Sequence, residues 1–308
     1  MSLLRRSLLT LADSDWVESL MRRNGATKGL VGRFVAGEDL DAALATARRI
    51  AAQGMTTTLD HLGENVGSEA EARAAVPIYV EILERMAQEM LEPNISVKLT
   101  MLGLDLDPSG ALARENMEAI LAGARRVVGF VRIDMEGSTY TQRTMDLFEV
   151  LHDRYPDEVG IVIQAYLRRA REDVERMIAR QARVRLVKGA YAEPADIAYQ
   201  GRDDIVENYV RLMEPLLARG RYPAIATHDP DLIRAARNFA AREGIPPDRY
   251  EFQMLYGVRR DEQTALTQAG YRMRVYVPYG TEWYPYFMRR IAERPANTLF
   301  ALRQIISR

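Results

Sequence analysis

The stretch Ala224–Leu255, AIATHDPDLIRAARNFAAREGIPPDRYEFQML, decides the fold. It opens with a short apolar β-like run, Ala224 to Thr227. Asp229 and Pro230 then read as a helix start. An aspartate side chain takes up an unpaired amide of the first turn, and proline at the first helical position lacks an N–H that would have had no partner. Leu232, Ala235, Ala236 and Phe239 follow at i, i+3, i+4 and i+7, which is one apolar helix face. A second β-like run, Tyr250 to Leu255, closes the stretch. Strand, helix and strand in about 30 residues make a βαβ unit, and such units build parallel sheets.

Outward from there the pattern repeats. Eight β-like runs alternate with helical segments: Met55 to Leu59, Ile95 to Thr100, Gly129 to Asp134, Gly160 to Tyr166, Val184 to Ala190, Ala224 to Thr227, Tyr250 to Leu255, and Met273 to Val277. Ser68 with Glu71 predicts a capping box before a long helix interrupted by Pro77. Leu147, Val150 and Leu151 support a helix after the third run, and Val206, Val210, Met213 and Leu217 one after the fifth. Eight βα units predict an α/β fold, a distorted (β/α)₈ TIM-like barrel. Residues 1–50, with helix candidates at Trp16 to Arg23 and around Leu40 to Ile50, read as an N-terminal helical arm, and residues 51–308 as the catalytic barrel with a C-terminal helix. A doubly wound dinucleotide fold lacks its fingerprint: GLVG at Gly29 to Gly32 has no strand before it and no third glycine.

Composition narrows the partners. The 308 residues carry a net charge of −1 and no basic tract, so nucleic acid is not an expected partner. The absence of cysteine excludes disulfides, thiolate metal sites and cysteine nucleophiles, and agrees with a cytoplasmic setting. No secretion signal is visible, and no apolar run approaches the roughly 18 residues of a membrane span. Of 42 basic residues only Lys28, Lys98 and Lys188 are lysines, and the last two sit inside strand-like runs.

In a barrel, function collects at the C-terminal ends of the strands. Going round, those ends carry Asp60, His61 and Glu64, then Lys98, Asp134 and Glu136, Gln164 and Tyr166, and Arg185, Lys188 and Tyr191. Thr227 and His228, Gln253 and Tyr256, and Tyr276 and Tyr279 complete the ring. After the eighth run, TEWYPYFMRRIAER at Thr281 to Arg294 places Tyr286, Arg289, Arg290 and Glu293 on one helix face, with Phe287, Met288 and Ile291 opposite. Paired guanidinium groups with a tyrosine one turn before them suit a small carboxylate. His152 lies mid-helix, apart from this set. No close metal-ligand spacing appears, and no metal is expected.

Several segments carry a resemblance. QAY at Gln164 to Tyr166, RLVKGAY at Arg185 to Tyr191, ATH at Ala226 to His228, EFQML at Glu251 to Leu255, RVYVPYG at Arg274 to Gly280 and YFMRRIAE at Tyr286 to Glu293 resemble the proline dehydrogenase family, in order from LDHLGE at Leu59 to Glu64 onward. The resemblance implies a monofunctional bacterial enzyme with non-covalent FAD. It would oxidise L-proline to Δ1-pyrroline-5-carboxylate by hydride transfer from C5 to flavin N5. Electrons would pass to a membrane quinone, and a separate pyrroline-5-carboxylate dehydrogenase would take the product on to glutamate.

Carried over residue by residue, the resemblance gives Arg289, Arg290 and Lys98 to the proline carboxylate and Asp134 to holding that cationic group. Tyr276, Tyr286 and Leu255 would wall the ring, with Ala190 and Tyr191 near the substrate, Glu293 supporting the helix and Glu64 completing the pocket. Gln164 and Arg185 would bond the isoalloxazine, and Lys188, Gly189, Ala190, Thr227 and His228 would line the cofactor. A tyrosine at position 276 favours proline over hydroxyproline within the family. The leucine-rich start of the chain, Leu3 to Leu11 beside Arg5 and Arg6, could serve as a peripheral contact on the inner face of the cytoplasmic membrane, and equally as a helix packed on the barrel. Two other readings stay open on the residues: a Schiff-base lyase using Lys98 or Lys188, and a non-catalytic binding protein for an anionic amino acid.

Overall fold

The computed structural model describes residues 29, 31–63 and 65–293, with only the backbone of residues 289 and 291–293. The helix candidate at Trp16 to Arg23, the leucine-rich start and Glu64 lie outside the described residues. Eight parallel strands close into a barrel in sequence order. They are β1 Thr56–His61, β2 Asn94–Val97, β3 Phe130–Ile133, β4 Val159–Gln164, β5 Arg183–Val187, β6 Ala224–Ala226, β7 Glu251–Leu255 and β8 Met273–Tyr279. The described helices are α1 Leu40–Ala51, α2 Glu69–Gln88, α3 Ala111–Arg126, α4 Ser138–Arg154, α5 Ala170–Ala179, α6 Arg202–Arg219, α7 Pro230–Arg242, α8 Arg260–Gln268 and α9 Trp283–Glu293.

Closure comes from β1 and β8, paired along six residues from Thr56 with Arg274 to His61 with Tyr279. Residues facing outward from the strands, such as Leu59, Val131, Ile161, Leu186, Phe252 and Val277, form the main core with the apolar helix faces. The distortion lies at the ends of the chain. Helix α1 packs on β1 and β8 and buries Ala43, Leu44, Ala47 and Ile50 in the barrel core. None of the described side chains of helix α9 joins that core. Its Trp283, Tyr284, Tyr286, Phe287 and Met288 form a second cluster with Val31, Val35 and Leu62.

The predicted caps are present: Asp229 accepts from Asp231 N at 3.0 Å, and Ser68 accepts from Glu71 N at 3.3 Å. Pro77 does not interrupt its helix. Helix α2 runs through it, held by the buried face Ala72, Ala75, Tyr79, Ile82, Leu83 and Met86, whose packing outweighs one missing backbone bond. Asp60 and His61 belong to β1 rather than following it, because the long β8 keeps them paired. Lys98 and Lys188 each lie one residue beyond their strands, which end at Val97 and Val187.

Parallel strands covered on both faces are ordinarily nearly all apolar, and the interior of this barrel departs from that rule. Below the strand ends, Arg132, Arg274 and Glu251 are buried on its inner face. Arg274 Nε meets Glu251 Oε1 at 2.9 Å and its Nη2 meets Glu92 Oε1 at 2.6 Å. Arg132 donates to the carbonyls of Ile161 and Arg183, and the Arg183 guanidinium stacks 4.0 Å from the Phe130 ring. These charges are tolerated because carboxylates, carbonyls and ring faces satisfy them.

Candidate active site

A polar cavity of about 720 Å³ opens at the C-terminal ends of the strands. Its floor is a network spanning four strands. Inward positions alternate along each strand, so β2 presents Ser96 and, just beyond it, Lys98, while β5 presents Arg185 and β8 presents Tyr276. Arg185 Nη1 meets Asp134 Oδ1 at 2.8 Å and Ser96 Oγ at 3.0 Å. The Tyr276 hydroxyl donates to Asp134 Oδ2 at 2.9 Å. Burial, with Asp134 and Asp60 close by, raises the Tyr276 pKa well above its ordinary value, which keeps the phenol protonated as a donor. Asp134 therefore holds Arg185, and Asp60 Oδ1 stands 3.4 Å from Lys98 Nζ.

One wall is cationic. The turn after β5 passes through Gly189 at φ +111°, where an added Cβ would stand 2.2 Å from the Tyr166 ring, so only glycine fits. Before it, Lys188 Nζ meets Asp229 Oδ2 at 2.7 Å. Burial works against ionised Asp229, but Lys188 and the Asp231 N–H outweigh it and hold this carboxyl below its usual range. His228 Nε2 accepts the backbone N–H of Leu255 at 3.0 Å, which leaves the ring proton to Nδ1. Thr227, His228 and Asp229 occupy the turn from β6 to α7, beside the helix N-terminus.

On the β4–β5 side of the cavity lining, Gln164 and Arg185 are incompletely satisfied by the described protein. Gln164 donates Nε2 to Met135 O at 3.2 Å, while its Oε1 meets no hydrogen-bond partner. The Nε and Nη2 of Arg185 are likewise buried and unpartnered. Buried polar atoms are rarely left so. Over the mouth lies α9, whose Tyr286 and Arg290 line the cavity, with the Arg290 guanidinium 5.3 Å from the Tyr286 ring.

Thus one cavity collects Lys98, Asp134, Gln164, Arg185, Lys188, Gly189, Ala190, Tyr191, Thr227, His228, Leu255, Tyr276, Tyr286 and Arg290. Arg289 and Glu293 stand on α9 with side chains outside the described residues, as Glu64 is entirely. Gln253 lines the cavity from the middle of β7, donating to the buried Glu251. His61 is not in the lining. Its ring packs against Tyr279 at 5.3 Å, and burial lowers its pKa despite the neighbouring Asp60. His152 stacks on Phe148 inside α4, away from the cavity. Sequence reasoning missed Ser96, which the two-residue alternation with Lys98 could have revealed, and the pairing of Asp229 with Lys188, which nothing local signals. Among the described residues no cluster of metal-ligating side chains occurs, and no helix is long and apolar enough to cross a membrane.

Fold and cavity define a class: a (β/α)₈ barrel with its small-molecule site at the C-terminal strand ends, where barrel enzymes carry out catalysis. Comparison with known proteins narrows it. The family profile for proline dehydrogenase matches residues 43–303. Over 299 residues the chain is 40% identical to Proline dehydrogenase 2 of Bacillus subtilis (strain 168), covering 97% of each chain. Over 306 residues it is 38% identical to the Proline dehydrogenase of Deinococcus radiodurans, covering 99% of this chain and 98% of that one. Among solved structures it resembles proline utilization A (PutA) from Bdellovibrio bacteriovorus inactivated by N-propargylglycine, with a TM-score of 0.83 and 27% identity over 94% of this chain and 36% of that longer one. The chain belongs to the proline dehydrogenase family, a family of oxidoreductases.

Proposed function

We propose that this protein oxidises L-proline to Δ1-pyrroline-5-carboxylate, the first step of proline breakdown toward glutamate. In this reading it uses non-covalently bound FAD, hands electrons to a membrane quinone from a peripheral position on the cytoplasmic membrane, and leaves the product to a separate pyrroline-5-carboxylate dehydrogenase. The observation that carries the reading is the division of the cavity. The β4–β6 side offers unsatisfied buried groups on Gln164 and Arg185, the Gly189 turn, and Lys188 with His228, a set that fits a flat heterocycle and a phosphate-bearing tail. The opposite side offers Arg290, Lys98 and tyrosines, which suit a small amino acid. The volume also falls in the roughly 300–1,000 Å³ range of small-molecule sites.

FAD bound there would supply the acceptor for the hydride that leaves proline C5. The chain's own residues orient and shield. Arg290, with Arg289 and Lys98, binds the carboxylate and so fixes one end of the ring. Tyr276, Tyr286 and Leu255 wall the ring, Ala190 and Tyr191 close in from the β5 turn, and Glu64 and Glu293 complete the substrate side. Asp134 keeps Arg185 in place, and the Arg185 charge would favour the negative charge of the reduced isoalloxazine. The Schiff-base alternative fits less well, because Lys98 and Lys188 each lie beside a carboxylate while a nucleophilic amine must be neutral.

The test is the absorbance spectrum of the purified chain, reconstituted with FAD if needed, before and after anaerobic L-proline. Flavin bands that bleach support both cofactor and substrate. Bands that L-proline leaves unchanged refute the substrate, and a chain that takes up no flavin refutes the whole reading.

A further inference from the structure

Helix α9 carries the substrate-facing Tyr286 and Arg290, yet none of its described buried side chains belongs to the barrel core. What they pack against, together with Leu62 just after β1, is a strap, residues 31–37, that precedes α1: a turn in which Phe34 N and Val35 N bond Val31 O, followed by an irregular run to Gly37. Val31 and Val35 are buried in the cluster with Trp283, Tyr284, Phe287 and Met288, and Phe34 places its ring 6.2 Å from Phe287. The strap is fixed in turn at two points. Backbone bonds join Ala36 N to Pro278 O at 2.9 Å and Gly280 N to Gly37 O at 3.0 Å, so it is stapled to the end of β8. Farther up the strap, Arg33 crosses the β7–α8 loop at Gly257, where φ is +76° and an added Cβ would stand only 1.6 Å from Arg33 O. That closeness leaves no room for any side chain at position 257.

We propose that the strap, through Phe34, is a positioning element that sets the height and tilt of α9 and thereby tunes substrate affinity without tuning cofactor binding. The selectivity is carried by Phe34, which bears on α9, whereas Gln164 and Arg185 stand on β4 and β5 across the barrel; the β7–α8 loop at Gly257, by contrast, bonds His228 through Arg259. A helix resting on its own small cluster shifts when that cluster is thinned, and a small misplacement of an anchoring guanidinium weakens substrate binding. This inference rests on the proposed oxidation of L-proline.

The test uses the full-length chain in a Trp16→Phe background, which leaves Trp283 as its one tryptophan. Phe34→Ala is compared with this parent, and Phe34→Leu serves as the conservative rescue. The expected result is a KM for L-proline raised about tenfold with kcat and flavin content held, a red-shifted Trp283 emission, and recovery of both in Phe34→Leu. A KM within about twofold of the parent despite a shifted emission would show that the strap only packs, and overturns the proposal. Flavin loss in step with KM also overturns it, since the effect would not be selective. Failure of L-proline to bleach flavin in the parent itself marks failure of the functional reading, and the strap's role falls with it.

Discussion

At position 128 a valine sits in the left-handed region, φ +54°, with 90% of its surface exposed. A β-branched residue is strained there, and exposure this high leaves it little packing to compensate. Tyr222 has a similar backbone, φ +45°, but its hydroxyl donates to Glu251 at 3.1 Å and its ring lies under Arg183. Val128→Gly is therefore expected to stabilise the protein by about 0.5 to 1 kcal/mol, relief of strain outweighing glycine's entropy, while Tyr222→Gly destabilises it. Urea midpoints of the two variants provide the comparison. Gly189 presents the reverse case, because the Tyr166 ring occupies the space of any Cβ. Gly189→Ala should lose most of its bound flavin and unfold at a lower temperature than the parent; full flavin content would remove this turn from the cofactor cradle.

At the scale of an element, α9 has two duties. Phe287 and Met288 are buried in the cluster with the strap, Arg290 lines the cavity, and Tyr286 belongs to both the cluster and the cavity lining. Arg290→Met is expected to raise the KM for L-proline by the equivalent of about 2 to 5 kcal/mol, the cost of leaving a desolvated carboxylate without its partner. Steady-state kinetics across a range of L-proline concentrations measure it, and an unchanged KM would remove Arg290 from carboxylate binding. Within α2, legibility was uneven. The cap at Ser68 could be read because capping is local, whereas the fate of Pro77 depended on a buried face contributed by other elements.

Across the whole molecule, the inner floor of the barrel is an ionic plug. Glu251 is fully buried. Burial pushes its carboxyl up, but Arg274 and the Gln253 amide outweigh this and bring it down to about 2. A carboxyl depressed in the fold contributes stability that is complete above its ordinary value of 4.5 and is lost as pH falls through about 2. Urea titrations at pH 6 and pH 3 should therefore show the parent losing stability on acidification. Glu251→Gln should be less stable by about 3 to 5 kcal/mol at neutral pH, with the gap to the parent narrowing in acid. A gap independent of pH would assign the loss to packing.

The sequence alone determined the number and order of the βα units, the local caps at Ser68 and Asp229, and which strand-end residues are available for chemistry. Those follow from periodicities of two and 3.6 and from bonds made within a few residues. Tertiary structure alone decided which charges meet. Asp134 meets Arg185, Asp229 reaches Lys188, and Arg132 and Arg274 are placed in the floor of the barrel. It also decided that the described buried side chains of α9 pack with Leu62 and the strap at residues 31–37. Such outcomes depend on closure of the ring, which brings together groups from distant strands, and a distance across a closed ring is not encoded in any local pattern.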